Sequence, residues 1–272
     1  MYEQFYKLSE KPFQMHPDPD FIYWSQGHSM AYTMLEYGVI NNTGFTVITG
    51  DIGCGKTTLI RFLLSQLVDH VTVGLLSNTQ IKDGDLMRWV MMAFGQPFEQ
   101  TTSMGLFQEF QNFLIREYGK GKRAILIVDE AQNLPSTILE ELRMLSNINS
   151  DKDQLIQIVL VGQPQLRDLL QGPELVQFSQ RVTSDFHLTP LTPAEVYEYI
   201  RHRVERAGGV PDLFSRQACR LIADASKGIP RTINMLCDTA LVYAFSAGAK
   251  YVSSGLVSLV IADKRKYGLF FK

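Results

Sequence analysis

A glycine-rich stretch directly follows a run of β-branched and apolar residues early in the chain. Phe45-Thr46-Val47-Ile48-Thr49 leads into Gly50-Asp51-Ile52-Gly53-Cys54-Gly55-Lys56-Thr57-Thr58, which fits the spacing G-x-x-x-x-G-K-[ST]. Glycines let the backbone curl without a Cβ clash, so that successive N–H groups and the N-terminus of the next helix point at a phosphate. We expect Lys56 to reach the β- and γ-phosphates of ATP and the Thr57 hydroxyl to take one Mg²⁺ position.

Two acidic residues stand at the end of a second apolar run, further along the chain. Ala124-Ile125-Leu126-Ile127-Val128 has the continuous apolar character of a buried parallel strand and leads directly into Asp129 and Glu130. Ligands of α/β sheets bind at the carboxyl ends of strands. We therefore predict that Asp129 completes the Mg²⁺ site and that Glu130 orients the attacking water or accepts its proton. The alternative is an acidic helix start without a catalytic role.

Two further side chains are candidates for contact with the nucleotide. Gln163 follows the apolar run 155–161, where a polar group can touch the γ-phosphate or the water, and the alternative is a turn glutamine before Pro164. Arg231 opens a helix after Gly228-Ile229-Pro230. A cation is disfavoured at a helix N-terminus, so a nearby anion would explain it; a solvated surface arginine is the alternative.

Apolar runs of strand length alternate with helical patterns up to residue 190. Such alternation produces βαβ units and a parallel sheet, so an α/β fold is predicted there. The predicted strands are 45–49, 71–76, 124–128 and 155–161, and the predicted helices are 56–68, 104–118 and 137–145, with one more that Asp83 or Asp85 caps and that runs towards Phe94.

The two ends of the chain have a different character. Residues 1–44 carry aromatic side chains between prolines, which predicts a segment that packs on a core, with a helix at 26–40. Beyond residue 190, four helical patterns follow one another without a strand, at 193–207, 215–226, 231–246 and 253–264. The predicted domains are therefore an N-terminal segment (1–44), an α/β domain (45–190) and a small all-helical domain with a C-terminal tail (191–272).

The composition is that of an ordinary globular protein and gives no global sign of a nucleic-acid partner. Of the 272 residues, 26 are Lys or Arg and 28 are Asp or Glu, so the formal net charge is −2. Three widely spaced cysteines fit neither a disulfide framework nor a metal site, and the start of the chain lacks the pattern of a signal peptide. No apolar stretch approaches the ~20 residues of a membrane span. We expect a cytoplasmic protein.

These motifs together resemble those of the AAA+ ATPases, with a Walker A loop, a Walker B Asp-Glu pair, a sensor position and a helical lid. The chain resembles the ExeA/GspA-like ATPases of bacterial secretion and pilus systems. Within that group it is most similar to the ATPase associated with exosortase (XrtA/PEP-CTERM) and exopolysaccharide loci. The phrases that carry the resemblance cover almost the whole length: Phe5-Tyr6-x-Leu8-x-x-x-Pro12-Phe13, Pro17-Asp18-Pro19-x-Phe21, Gly44-Phe45, Val128-Asp129-Glu130-Ala131-Gln132-Asn133-Leu134, Glu140-Glu141-Leu142-Arg143-Met144-Leu145-Ser146-Asn147, Gly162-Gln163-Pro164, Gln180-Arg181-Val182 and Pro230-Arg231-x-Ile233-Asn234-x-Leu236-Cys237-Asp238.

The resemblance implies a three-layer P-loop NTPase sandwich followed by the lid, and it implies three residue roles. Gln163 falls at the sensor-1 position, where many relatives carry Asn, Ser or Thr, so this departure leaves its role open. Arg231 matches the sensor-2 arginine of the lid. Arg181 matches the region of the arginine finger, which acts on the γ-phosphate of a neighbouring subunit and therefore requires an oligomer. An ordinary arginine at a helix end is the alternative.

The implied function is Mg²⁺-dependent ATP hydrolysis by an oligomer that remodels or regulates a partner in the envelope export of protein or polysaccharide. ExeA proteins continue into a membrane span and a peptidoglycan-binding part. This chain is expected to lack that anchor and to act in the cytoplasm or peripherally at the inner membrane.

Two other functions are open. One is a DNA-binding transposition regulator similar to TnsC or MuB, which forms ATP-dependent filaments or rings on duplex DNA. Lys120, Lys122 and Arg123 would then face the DNA, although a solvated turn is the alternative. The other is a nucleotide-loaded switch that barely hydrolyses, against which the presence of Glu130 argues.

Three smaller features leave alternatives open. Cys54 lies within the glycine loop, where oxidation of its thiol would block phosphate binding, or it is a small filler. His28 either approaches the nucleotide base or is a packing or capping histidine. The tail 264–272 mixes basic and aromatic residues. It docks on a partner, a membrane surface or the next protomer, or it is an ordinary chain end.

Overall fold

The computed structural model describes residues 1–41, 44–67, 71–77, 81, 84–99, 102–150 and 153–268. The chain divides into two compact units. The first, which we call the helical unit, consists of Met1–Ser29, Asp51–Thr58 and Thr189–Lys272. The second, the sheet unit, consists of Met30–Gly50 and Leu59–Leu188. The predicted domains were continuous in sequence, whereas each of these units gathers separate segments.

A parallel sheet forms the centre of the sheet unit. Within the described residues it has five strands in the order β2-β3-β6-β1-β7, and all neighbouring strands run parallel. Two short strands, β4 and β5, pair antiparallel beside it. The strands are β1 (Phe45–Gly50), β2 (Val71–Leu76), β3 (Arg123–Val128), β4 (Asn149–Ser150), β5 (Asp153–Gln154), β6 (Ile156–Gly162) and β7 (Val182–Leu188). The predicted α/β class and parallel sheet are confirmed.

Helices account for most of the remaining described residues. They are α1 (Tyr2–Phe5), α2 (Gln26–Ile40), α3 (Lys56–Leu67), α4 (Leu86–Ala93), α5 (Ser103–Gly119), α6 (Ser136–Leu145), α7 (Pro164–Leu170), α8 (Val176–Ser179), α9 (Pro193–Arg206), α10 (Arg216–Ser226), α11 (Pro230–Ser246) and α12 (Ser254–Tyr267). Each predicted helix is present, with ends that shift by no more than three residues. No helix in the described part of the chain is long and apolar enough to cross a membrane.

Five of these strands and helices in the sheet unit were missed, namely β4, β5, β7, α7 and α8. β7 is an edge strand, and only two of its seven side chains are buried. Its polar residues bond to neighbouring elements, as when the Ser184 hydroxyl donates to the Met34 carbonyl oxygen at 2.9 Å. A strand of this kind lacks the apolar run by which a central parallel strand is recognised.

The core of the sheet unit explains why the central strands read as continuous apolar runs. Positions 124–128 of β3 and all seven residues of β6 are buried. Phe45, Phe110 and Phe178 are fully buried among the same apolar cluster. Burial of each such ring contributes about 1.5–3 kcal/mol to stability, so apolar packing stabilises the parallel sheet.

The helical unit has its own core, and the N-terminal aromatics belong to it. Tyr2, Phe13 and Phe21 are buried in one cluster with apolar residues of α9 to α12. Arg203 ties this segment down, because its Nε donates to the Pro12 carbonyl oxygen at 2.6 Å and its guanidinium lies 4.6 Å from the centre of the Phe21 ring. These contacts attach the N-terminal aromatics to the core of the helical unit.

The sequence predicted that one of two aspartates caps α4. Asp85 occupies the N-cap position of α4, but its carboxylate pairs with Arg88 at 3.3 Å instead of capping the helix. The other predicted cap, Asp83, lies outside the described residues, as do the last four residues of the tail.

Candidate nucleotide-binding site

The glycine loop has the backbone geometry that a phosphate site requires. β1 ends at Gly50 and α3 begins at Lys56. Between them Gly53 has φ +84° and Gly55 has φ +100°, values that residues with a Cβ rarely adopt. Successive turns of this kind direct backbone N–H groups to one side, and the N-terminus of α3 adds a positive dipole. The loop can therefore hold an anion in a concave nest of donors.

Lys56 brings a positive charge over the same loop. The residue is buried, and its Nζ donates a hydrogen bond to the Asp51 carbonyl oxygen at 3.0 Å. Thr57 and Thr58 follow in the first turn of α3, and both are half-buried. The predicted phosphate ligands are thus gathered in one short segment of the helical unit.

Arg231 lies against this loop, and it does so first through its backbone. Its N–H donates to the Gly53 carbonyl oxygen at 3.1 Å, at the start of α11. A Cβ on Gly53 would come within 2.5 Å of the Arg231 Cβ. The Arg231 side chain is exposed, so it is placed beside the loop with freedom to meet an anion. Its predicted sensor role remains a prediction.

His28 holds the loop from another side. Its Nε2 lies 3.0 Å from the Cys54 carbonyl oxygen, and its Nδ1 lies 2.7 Å from the Ser25 hydroxyl. Because a carbonyl oxygen can only accept, Nε2 carries the proton and Nδ1 accepts from Ser25. Burial lowers the pKa of His28, so the neutral ring is favoured. In this structure His28 is a packing and backbone-binding histidine, which agrees with the second of its two predicted roles.

Cys54 fits the role of a small filler. Its side chain is buried, and burial raises the pKa of the thiol to about 11, with a further contribution from the Asp51 charge. The thiolate is the reactive form of cysteine, and it is scarce at neutral pH in such surroundings.

The acidic pair lies at the carboxyl edge of the sheet. β3 ends at Val128, and the Asp129 N–H still donates to the Leu76 carbonyl oxygen of β2 at 2.8 Å. The Asp129 Oδ1 accepts from the Glu130 N–H at 2.9 Å. β6 lies between β3 and β1, so the parallel ladder brings Gly50, Asp129 and Gln163 to the same edge. This is the edge at which ligands of α/β sheets bind.

Gln163 contacts Glu130 directly. Its Nε2 donates to the Glu130 Oε2 at 3.0 Å. A third residue, Gln132, joins them, since its Nε2 donates to the same oxygen at 2.6 Å and its Oε1 accepts from the Gln163 N–H at 2.9 Å. No role for Gln132 was predicted from the sequence. The available signal was an amide side chain two residues after a candidate catalytic carboxylate.

Arg181 is held by polar side chains of the sheet unit. It follows α8 and precedes β7, and its Nη1 donates to the Asn147 side-chain oxygen and, at 3.5 Å, to the Ser146 hydroxyl. Both partners are uncharged. The structure thus shows where Arg181 is held within the sheet unit, and the finger role stays a prediction.

The basic turn that the DNA hypothesis invoked has local partners. Lys120 pairs with Glu117 at 2.6 Å, one turn back on α5. The Arg123 Nη1 donates to the carbonyl oxygens of Val39 and Ile40 at 3.3 and 2.7 Å. Side chains engaged in this way favour the structural interpretation of the turn over a DNA-facing one.

The parallel sheet, the glycine loop that opens a helix and the helical region that follows define an AAA-type P-loop NTPase fold. Residues 40–170 match the family model of the AAA domain. Solved structures with the same fold include the ORC2 protein of Aeropyrum pernix in its ADPNP–ADP complexes, which has a TM-score of 0.62 and 18% identity over 88% of this chain and 67% of that one. The ORC1 protein of Aeropyrum pernix in complex with DNA has a TM-score of 0.68 and 16% identity, and the match covers 94% of this chain and 70% of that one. The RuvB Holliday junction branch migration motor of Thermotoga maritima has a TM-score of 0.58 and 19% identity, and the match covers 92% of this chain and 72% of that one.

A curated protein is much more similar in sequence. The chain is 39% identical over 260 residues to general secretion pathway protein A of Aeromonas hydrophila. The match covers 95% of this chain and 48% of that protein, so the chain spans about half the length of the relative. This agrees with the predicted resemblance to the ExeA/GspA-like group, and the finer resemblance to exosortase-associated ATPases stays a prediction.

Proposed function

We propose that this chain is a Mg²⁺-dependent ATPase that binds ATP and releases ADP. The observation that carries the proposal is the glycine loop between β1 and α3, with Lys56 buried over it and donating to the Asp51 carbonyl oxygen. A loop of this geometry at the N-terminus of a helix recognises the phosphates of a nucleotide.

The metal would be held by oxygen ligands of this chain and by the phosphates. The Thr57 hydroxyl in the first turn of α3 and the Asp129 carboxylate after β3 are the kind of ligands that Mg²⁺ takes while it keeps several waters. With two protein ligands, the remaining Mg²⁺ positions are left for phosphate oxygens and water. When bound, Mg²⁺ neutralises charge on the β- and γ-phosphates.

Hydrolysis needs a group that orients water, and Glu130 supplies a carboxylate at the carboxyl edge of the sheet. We propose that it accepts the proton of the attacking water, with Gln163 beside it as a sensor of the γ-phosphate. Arg231 would respond to the nucleotide from the start of α11. Arg181 would act on the nucleotide of a neighbouring subunit, and turnover would then rise on self-association.

The biological role that we propose follows from the similarity to general secretion pathway protein A. An ATP-driven oligomer of this chain would remodel or regulate a partner in a bacterial envelope export system for protein or exopolysaccharide, including systems of the exosortase type. The similarity to ORC1 bound to DNA extends only to the fold, and the contacts of Lys120 and Arg123 do not favour a DNA role.

ATP turnover measured with Mg²⁺ and then with excess EDTA tests the enzymatic proposal. Lys56→Ala should lower turnover about a hundredfold or more, because the buried ammonium and its phosphate contact are lost together. Lys250→Ala, which removes an exposed lysine, serves as the control and should leave the rate unchanged. A rate that is insensitive to EDTA and to Lys56→Ala would contradict the proposal.

A mixing experiment tests the role of Arg181. Arg181→Ala and Glu130→Gln should each be slow alone, and their mixture should recover turnover, because the Glu130→Gln subunit can donate its arginine to an intact site on the other. If the mixture stays as slow as the separate variants, Arg181 does not act in trans.

A further inference from the structure

The contacts of Gln132 are arranged as a bridge between two elements of the sheet edge. Its amide nitrogen bonds to the Glu130 Oε2, and its amide oxygen accepts from the backbone of Gln163, the residue before α7. The Gln163 side chain reaches the same Glu130 oxygen. One carboxylate oxygen therefore receives two amide donors whose positions depend on each other.

The backbone at Glu130 is bent in a way that non-glycine residues rarely adopt. Glu130 has φ +54° and ψ +36°, in the left-handed region. This conformation costs about 1–2 kcal/mol for a residue with a side chain. Strain of this kind persists where surrounding contacts hold it, and it concentrates at functional positions. The Glu130 N–H donates to the Asp129 Oδ1 at 2.9 Å and the Asn133 N–H donates to the Glu130 carbonyl oxygen at 3.0 Å, and these backbone bonds hold the bend.

Gly162 leaves space for this bridge. A Cβ at Gly162, the last residue of β6, would come within 2.8 Å of the Gln132 Oε1. The amide oxygen thus sits tightly over the end of the strand, where it meets the Gln163 N–H. The position of the Gln132 side chain is set by packing as well as by hydrogen bonds.

We propose that Gln132 is a positioning residue, which fixes the carboxylate of Glu130 relative to Gln163 for water activation. This inference rests on the proposed ATPase function and deepens it. Through Gln132, a change at Gln163 on γ-phosphate binding is transmitted to the Glu130 carboxylate. A neutral amide suits this bridge, because it carries a donor at one end and an acceptor at the other.

The first test is a double-mutant cycle on ATP turnover. Gln132→Met keeps the length of the side chain but removes both hydrogen bonds. We expect it to lower kcat about tenfold or more and to leave the affinity for ATP within about twofold. In the Glu130→Gln background the same change should have no further effect, because Gln132 acts through Glu130. Gln108→Met, on the exposed face of α5, is the matched control and should change nothing.

The second test uses the protein without nucleotide. Hydrogen exchange of the Gln163 backbone amide, followed by NMR, reports the bond to the Gln132 Oε1. We expect this amide to exchange about tenfold faster in Gln132→Met, with the amides of β3 unchanged. Gln132→Asn, one methylene shorter, should give the same direction of change and replaces Gln132→Met in both tests if that variant does not fold.

The outcomes separate this inference from the function on which it rests. If Glu130→Gln hydrolyses ATP at the wild-type rate, the catalytic assignment and this inference are both wrong. If Glu130→Gln is slow while Gln132→Met is as fast as wild type, or the two effects add, only this inference is overturned. An unchanged Gln163 exchange rate in Gln132→Met would overturn the bridge itself.

Discussion

The glycine loop and the Glu130 edge are built in different ways. The loop is held mainly through its own carbonyl oxygens, which accept from the Arg231 N–H, the His28 ring and the Lys56 ammonium. The Glu130 carboxylate is held by two side-chain amides, Gln132 and Gln163. Backbone-anchored geometry varies little, whereas side-chain bridges can exchange partners. We infer that nucleotide binding rests on the fixed part and that control of hydrolysis rests on the adjustable one.

The largest expected effect comes from a change in the glycine loop, which is held through its backbone. Gly53→Ala places a Cβ in a left-handed conformation and against Arg231, so we expect a loss of about 3 kcal/mol in the free energy of unfolding, together with weak ATP binding. Gly121→Ala is the control, since Gly121 has a similar φ of +74° and no atom within 4 Å of the added Cβ. It should cost about 1 kcal/mol. Urea unfolding measures both, and equal losses would show that the contact with Arg231 is unimportant.

A smaller effect is expected at the proposed metal site, where metal binding and nucleotide binding should respond separately. Asp129→Asn removes one charged oxygen ligand, so the Mg²⁺ concentration needed for half-maximal turnover should rise roughly tenfold. The affinity for ADP without Mg²⁺ should stay as in the wild type, because the glycine loop is intact. Titration of Mg²⁺ at saturating ATP measures the first, and calorimetry in EDTA measures the second. If ADP binding falls as well, the two regions are not separable in this way.

The anchoring of the loop by His28 should depend on pH. Burial lowers the pKa of His28 in the folded state, so on acidification the unfolded chain takes up a proton first. The free energy of unfolding is therefore unaffected by this residue above about pH 6.5 and falls below it by up to about 1.4 kcal/mol per pH unit, until the lowered pKa is reached. Urea unfolding of the wild type and of His28→Gln between pH 8 and pH 5 measures the difference. If the gap between the two curves is constant with pH, the histidine is not held neutral.

The smallest effect concerns a helix start away from the chemistry. Thr192 and Glu195 form a reciprocal capping box at α9, so Thr192→Ala should cost about 1 kcal/mol in the free energy of unfolding. Turnover per folded molecule should not change, because the loop and the Glu130 edge keep their contacts. Thermal unfolding and an ATPase assay at 25 °C check the pair of expectations. A large change in turnover would mean that α9 affects catalysis as well as stability.

Most of the fold could be predicted from the sequence because its elements are written in local patterns. Buried parallel strands such as β3 and β6 are continuous apolar runs, and the glycine spacing before Lys56 specifies a loop between strand and helix. β7 was not predicted, because an edge strand with exposed polar residues has no such pattern. Its pairing with β1 is decided by residues far apart in sequence.

The candidate site divides in the same way. Lys56, Asp129 and Glu130 could be predicted because their residue types follow directly on local elements. The contacts of His28 with Cys54 and of Arg231 with Gly53 join distant segments, and no spacing rule foretells them. The role of Gln132 depends on a bond to Gln163, thirty-one residues further along the chain, and could be recognised only from the structure.

Nucleotide binding and hydrolysis can be separated at a single residue, Glu130. ATP affinity and single-turnover hydrolysis are measured on the wild type and on Glu130→Gln, which keeps the shape of the side chain but removes its basicity. We expect hydrolysis to be slower by about a hundredfold or more, with ATP bound at least as tightly as in the wild type. Hydrolysis at the wild-type rate, or a loss of ATP binding that matches the loss of rate, would contradict this expectation.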